Sequence, residues 1–158
     1  VLHVGYESGD QKINYDIKKG VTVKKMTEFT IDAKRAGLRI HGDFVIGFPG
    51  ETHETAKRTI RWAKKLNPDT AQFQLANVLA GTPMHKQLSE NGWLTPGGEP
   101  NYPQLSNTEI RSLAKKAYRD FYISPQYAWK CLRHPYEHLF GRLKTVKVAI
   151  PAMFWKKW

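Results

Sequence analysis

His41-Gly42-Asp43-Phe44-Val45-Ile46-Gly47-Phe48-Pro49-Gly50-Glu51-Thr52 decides the fold of this 158-residue chain. The run through Phe44-Val45-Ile46 reads as a buried strand, because a parallel strand covered on both faces is near-continuously apolar rather than alternating. Gly47-Phe48-Pro49-Gly50 breaks it, and a helix with a polar first turn follows at once. A Gly-x-Pro-Gly turn lets backbone approach closely at the strand's carboxyl end, where α/β proteins bind their ligands.

Outward from that stretch the same plan repeats. Val1–Ser8 reads as a strand, Gln11–Lys19 as a helix stopped by Gly20, and Thr22 as the cap of a second helix ending at Gly37. In that helix Val23, Met26, Phe29, Ile31 and Ala33 roughly follow one stripe. Residues 52–66 form the helix after the central strand, with Ala56, Ile60, Ala63 and Leu66 on one face. Thr70–Leu79 is expected as a third strand, and Thr82-Pro83 opens a helix ending at Asn91-Gly92. Crossovers of this length permit only parallel pairing, so the rhythm is half of a β/α barrel or three units of an open doubly wound sheet. Trp93–Leu105 is a proline- and glycine-rich loop, after which Ser106-Asn107-Thr108-Glu109 is a capping box and Ser124-Pro125 starts a further helix. The expected division is a barrel half over 1–94, a linker over 95–105 and a basic helical extension over 106–158.

Composition is that of an ordinary soluble protein, 41% hydrophobic and 25% charged. The chain begins inside a strand and without Met, which predicts a fragment lacking its natural amino-terminal part. No apolar run approaches the roughly 18 residues of a membrane span. The single Cys131 excludes an internal disulfide framework and a multi-cysteine metal site within these residues. A reducing, cytoplasmic setting is the expected one. The net charge of +11 is uneven: residues 111–158 hold 11 basic and two acidic residues, the remaining 110 hold 14 and 12. Electrostatic partners are therefore expected at the carboxyl-terminal end.

Glu7 and Ser8 fall where the first strand ends, where a carboxylate accepts hydrogen bonds from a ribose or an ammonium and a hydroxyl both donates and accepts. The plainer alternative is a helix cap at Ser8 or Asp10. The Gly47–Glu51 turn either presses backbone against a flat nucleoside or is a tight connection with Glu51 at a helix start. It lacks the dinucleotide fingerprint and the P-loop pattern. Gln72 and Gln74 share a face of the third strand and, with Asn77, are substrate-side candidates or a packed polar network. The six histidines are scattered without ligand spacing, His134 and His138 having a proline between them, and no metal site is predicted. Lys144, Lys147, Lys156 and Lys157 interleave with Phe140, Val146, Val148, Ile150, Met153, Phe154, Trp155 and Trp158, a mixture suited to a membrane surface or to nucleic acid.

Taken together, Tyr6-Glu7-Ser8-Gly9, the Ile17-Lys18-Lys19-Gly20 helix end and the His41–Thr52 stretch resemble the radical S-adenosylmethionine (SAM) enzymes, within the class that carries an amino-terminal cobalamin-binding domain. The resemblance runs on through Pro68–Gln72, Gly81-Thr82-Pro83, Glu90–Leu94, Tyr102–Ser106 and Phe121-Tyr122, and is nearest to the hopanoid-biosynthesis-associated subgroup. It implies the second half of a partial (β/α)6 TIM-like barrel, a [4Fe–4S] cluster whose ligands lie outside this chain, SAM as cofactor, and cobalamin on a domain also outside it. By position, Glu7 and Ser8 match the segment contacting the ribose or methionyl part of SAM. Val45, Ile46 and Gly47 match the segment against adenine, and Val78 and Leu79 match the strand end meeting adenine through backbone groups.

Two departures stand out. The cluster-binding cysteine triad is missing here, and Glu51 follows Gly47 by four residues where the family's motif has three. The chain alone is therefore expected to be inactive. The resemblance implies a radical SAM enzyme that modifies a small-molecule or lipid substrate such as a hopanoid side chain, with peripheral membrane contact through the basic aromatic end. The alternatives are an RNA-modifying radical SAM relative and a non-catalytic βα module that binds membrane or protein.

Overall fold

The computed structural model of the chain describes residues 1–133. The basic aromatic segment and the His134/His138 pair lie outside the described residues. The elements run β1 (Leu2–Glu7), α1 (Gln11–Asp16), α2 (Val23–Arg35), β2 (Ile40–Ile46), α3 (His53–Leu66), β3 (Thr70–Leu75), α4 (Pro83–Glu90), α5 (Asn107–Tyr122) and α6 (Pro125–Arg133). The three strands form one parallel sheet in the order β1-β2-β3. This α/β arrangement is consistent with half of a TIM-like barrel.

The helices pack on the sheet face that carries Tyr6, Ile40, Phe44, Ala71 and Phe73, all buried. Phe44 sits at the centre, stacked on Tyr6 at 5.1 Å and on Phe73 at 5.2 Å between ring centroids, with Trp62 of α3 edge-on to Tyr6 and Phe44. Offset and edge-to-face rings add to the burial term. A second cluster joins Ile46 to Ala56, Leu88, Tyr102, Leu105, Ile110 and Leu113. The opposite sheet face is polar: His41, Asp43 and Val45 of β2 pair in register with Thr70, Gln72 and Gln74 of β3. The central strand therefore buries alternate residues, contrary to the continuous burial expected from Phe44-Val45-Ile46. One face carries the helical layer and the other carries polar side chains.

Helix starts fall where capping chemistry predicts. Thr22, Thr52, Thr82 and Ser106 each accept a backbone N–H of the first turn, and Thr52–Thr55 and Ser106–Glu109 close reciprocal capping boxes. On α3, Ala56, Ile60, Ala63 and Leu66 are buried as their spacing requires.

Three stretches differ from expectation. α1 ends at Asp16 rather than Lys19: Lys18 takes φ 57° and Lys19 turns back, its N–H reaching the Asn14 carbonyl at 2.9 Å and its ammonium the Glu7 carboxylate at 3.2 Å. On α2 the core-facing residues are Met26, Thr30 and Ala33, while Phe29 and Ile31 are 47% and 45% exposed. Thr30 takes the inward slot because its hydroxyl bonds both the Met26 carbonyl and the Tyr6 hydroxyl. β3 stops at Leu75 rather than Leu79, since β2 ends at Ile46 and the last rung available is Ala76 N–H to Ile46 O at 2.9 Å. Among the described residues no helix is long and apolar enough to cross a membrane.

Candidate functional site

The strand carboxyl ends bring Glu7, Gly47 and the residues after Leu75 to one edge of the sheet. β1 carries one extra residue between Gly5 and Glu7, and Glu7 adopts φ 58°. A left-handed conformation costs a non-glycine residue about 1–2 kcal/mol. Bulges and such backbone outliers concentrate at functional sites, where they re-aim a side chain. The Glu7 carboxylate faces the Lys19 ammonium, each side chain roughly a quarter exposed (26% and 25%). That pair offers acceptors and donors side by side at the strand end.

Ser8 is fully buried beneath it. Its hydroxyl lies 3.2 Å from the Thr59 hydroxyl and accepts the Asp10 N–H at 3.1 Å, while the Asn14 amide bonds both the Ser8 N–H and the Ser8 carbonyl. Asp10, not Ser8, caps α1, and it also pairs with Arg58. Ser8 thus anchors the strand end on which Glu7 stands. Gly9 lets this turn lie directly on α3, its N–H donating to the Thr59 hydroxyl at 2.9 Å.

Gly47 takes φ 103°, reversing the chain after β2. Glu51 folds back under the turn, fully buried, and accepts the Gly47 N–H on Oε2 while Oε1 has no partner in this structure. Burial pushes the Glu51 carboxyl up to about 7, opposed by the backbone N–H groups of Gly47 and Phe48. The Tyr102 hydroxyl donates to the Gly47 carbonyl at 2.8 Å, and the Gln104 amide to the Glu51 carbonyl at 3.2 Å. Burial, and secondarily the Glu51 charge, raises the Tyr102 phenol. The turn is therefore fixed from both sides before any ligand arrives. The extra residue between Gly47 and Glu51 does not prevent the carboxyl from reaching the Gly47 N–H.

Val45 lies on the polar face in register with Gln74, whereas the Ile46 side chain points into the second apolar cluster and its carbonyl is taken by Ala76. Val78 is half-buried against that cluster and Leu79 is exposed, both beyond the end of β3. Gln72, Gln74 and Asn77 are exposed and line a cleft of about 620 Å³ between β3, the 97–100 loop and α5. Arg111 borders it, held by Asn107 at 2.9 Å and by Glu99, and Lys115 lies beside it.

Sequence reasoning misses the clamp from Tyr102 and Gln104, because both lie in the proline- and glycine-rich loop over 95–105. Tyr102 lies 55 residues from its acceptor, so no local pattern reveals the contact. It also misses Lys19 as the partner of Glu7; two lysines before a glycine read as an ordinary helix end.

No family model matches the chain. Among curated proteins it is similar to the uncharacterized methyltransferase PH0819 of Pyrococcus horikoshii, 34% identical over 134 residues, 79% of this chain and 29% of the relative. It is similar to a tRNA-2-methylthio-N(6)-dimethylallyladenosine synthase of Buchnera aphidicola, 40% identical over 72 residues, 44% of this chain and 17% of the relative. A "Probable threonylcarbamoyladenosine tRNA methylthiotransferase" of P. horikoshii is 30% identical over 95 residues, 59% and 22% of the two. These relatives support a relation to the radical SAM superfamily. The chain spans less than a third of the length of each of the three.

The residues present fit the two radical SAM cofactors differently. Cys131, half-buried on α6, is the chain's single thiol, so these residues do not hold a [4Fe–4S] cluster. The Glu7 carboxylate is an acceptor for hydroxyls or an ammonium such as those of SAM, whereas the Gly47 N–H, the Gly47 carbonyl and the Ile46 carbonyl are already hydrogen-bonded within the protein, so this turn offers a base a surface rather than those polar groups.

Proposed function

We propose that this chain forms the carboxyl-end wall of a radical SAM methyl- or methylthiotransferase acting on RNA. The observation that carries the SAM part is the placement, at neighbouring parallel strand ends, of a carboxylate on a left-handed backbone (Glu7) and a turn locked by buried Glu51. Glu7 would accept hydrogen bonds from the ribose or the amino group of SAM, with Ser8 holding its strand end. Val45, the Ile46 and Gly47 backbone, Val78 and Leu79 would border the adenine. Gln72, Gln74 and Asn77, beside Arg111, would face the substrate. When bound, SAM would supply a methyl group, the sulfur of any methylthio group having to come from a separate sulfur donor held outside this chain; this chain's residues would bind SAM, orient it and keep water from its base. Residues 1–94 would form the barrel half, 95–105 the link and 106–158 the basic extension.

RNA is preferred as substrate because two of the relatives above are named for tRNA and because the chain is strongly basic. Support is lacking among those relatives for a hopanoid or other lipid substrate and for cobalamin, and the RNA-modifying alternative fits better.

Glu7→Gly in the intact polypeptide separates binding from folding, since glycine accepts the left-handed backbone without cost. Losing hydrogen bonds to a charged acceptor, each worth about 1.5–3 kcal/mol, is expected to weaken SAM about tenfold or more, with the fold as stable as before or up to about 1 kcal/mol more so. Unchanged SAM affinity by calorimetry would remove Glu7 from the site. For the substrate, the chain should be retained on immobilised tRNA and released as salt rises from about 50 to about 200 mM, with no retention on anionic liposomes. The opposite pattern would restore the lipid reading.

A further inference from the structure

We infer that His3, His41 and Asp43 form a binding site for one divalent transition-metal ion, of the zinc type, on the polar face of the sheet. It lies apart from the strand ends described above. His3 and His41 pair in register across β1 and β2, and Asp43 follows two residues later on the same face of β2. One ligand atom from each lies within 4.8 Å of the other two. The two imidazoles approach to 4.8 Å between centroids. His41 Nε2 stands 3.3 Å from Asp43 Oδ1. Ligands about 2.1 Å from a tetrahedral ion are separated by about 3.4 Å, so this pair already spans one edge of such a site.

The other nitrogen of His41 strengthens the assignment. Nδ1 lies 2.7 Å from the Thr70 hydroxyl of β3. A metal-bound histidine characteristically has its second ring nitrogen engaged in this way, which fixes the ring and its tautomer. Here the Thr70 contact turns Nε2 toward Asp43 and His3. His3 is exposed, and its ligand nitrogen already lies within 4.8 Å of those of the other two. Two imidazoles and a carboxylate suit a borderline ion such as Zn²⁺ rather than an iron–sulfur cluster, and they leave at least one position open toward the polar face. Asp43 lies four residues before Gly47, about 13 Å along the strand. The ion would also tie β1, at the sheet edge, to the central strand.

Titration of the untagged chain with ZnCl₂ by calorimetry tests this, with CoCl₂ absorption as the spectroscopic probe. One ion per chain is expected, with visible ligand-field bands for Co²⁺ typical of four- or five-fold coordination. His3→Ala and Asp43→Asn should each weaken Zn²⁺ at least tenfold, and Thr70→Val about tenfold through loss of ring orientation. His41→Gln should abolish binding; circular dichroism checks its fold, and should it not fold, the His3 and Asp43 variants carry the test alone. Absence of Zn²⁺ uptake at 100 μM by the intact chain would overturn the proposal. Uptake unchanged by both His3→Ala and Asp43→Asn would overturn it too, by assigning the ion to other histidines.

Discussion

Raising the pH from 5 to 8 is expected to destabilise the fold, with Glu51 responsible for about 2–3 kcal/mol of the loss. The carboxyl is fully buried and its folded value is raised from 4.5 to about 7. Below pH 4.5 the group is neutral whether the chain is folded or not. Between 4.5 and 7 only the unfolded chain gives up the proton, so each unit of pH favours unfolding by about 1.4 kcal/mol. Above 7 both states are ionised and the slope vanishes. Glu109, which its capping partner Ser106 and His53 hold down at about 2, acts in the opposite sense but only below pH 4.5, outside this window. Glu51→Gln keeps an acceptor for the Gly47 N–H and cannot ionise. The wild-type-minus-variant difference in urea-derived stability should therefore fall from pH 5 to 8, and a flat difference would show that the buried carboxyl does not titrate there. Because Glu51 sets the turn that borders the proposed adenine position and ionises in the folded chain only around pH 7, any loss of SAM affinity through this turn should be centred near pH 7 and be larger in the wild type than in Glu51→Gln.

Gly9→Ala is expected to cost about 3–5 kcal/mol. A methyl group built on Gly9 would lie 2.8 Å from the Thr59 Cα, 3.1 Å from the Trp62 Cβ and 3.2 Å from the Arg58 carbonyl oxygen. Thr59 and Arg58 meet it with helix backbone, which cannot swing away as a side-chain tip can. Overpacking against a rigid wall typically costs about 1–3 kcal/mol. Moving the turn off α3 would also break the Gly9–Thr59 and Ser8–Thr59 hydrogen bonds, each worth about 1 kcal/mol. In a domain stable by about 5–15 kcal/mol that is a large share. Gly97→Ala, whose new methyl group would meet only the Thr95 hydroxyl at 3.7 Å, should change stability by less than about 0.5 kcal/mol. Equal denaturation midpoints for the two variants would contradict the close approach of this turn to α3.

What was legible in the sequence was what local chemistry controls. Thr22, Thr82 and Ser106 announce helix starts because a cap needs only its own first turn. The parallel α/β plan follows from the lengths of the crossovers. The end of β3 was not legible, because it depends on where its neighbour β2 stops. Nor was the inward face of α2: Thr30 displaces Phe29 and Ile31 only because Tyr6, 24 residues earlier, brings a hydroxyl to it. At the candidate site, the placement of Glu7, Ser8 and Gly47 at strand ends was legible, but not that Ser8 is fully buried there and bonded to Thr59 and Asp10. Tyr102, Lys19 and the meeting of His3 with His41 were not, since each joins residues distant in sequence or disguised by an ordinary local role.

The strand order has a consequence for how the molecule is made. Because the sheet runs β1-β2-β3, each strand as it is synthesised can join the edge of the one before it. The paired segments are separated by crossovers of two helices (α1 and α2) and of one (α3), so early folding closes only modest loops. The Gly47 turn is different. Its lock, the Tyr102 hydroxyl, arrives 55 residues after the turn itself. During synthesis the sheet can therefore stand while the Gly47 turn is still loose, and the edge proposed to face SAM takes its final shape last.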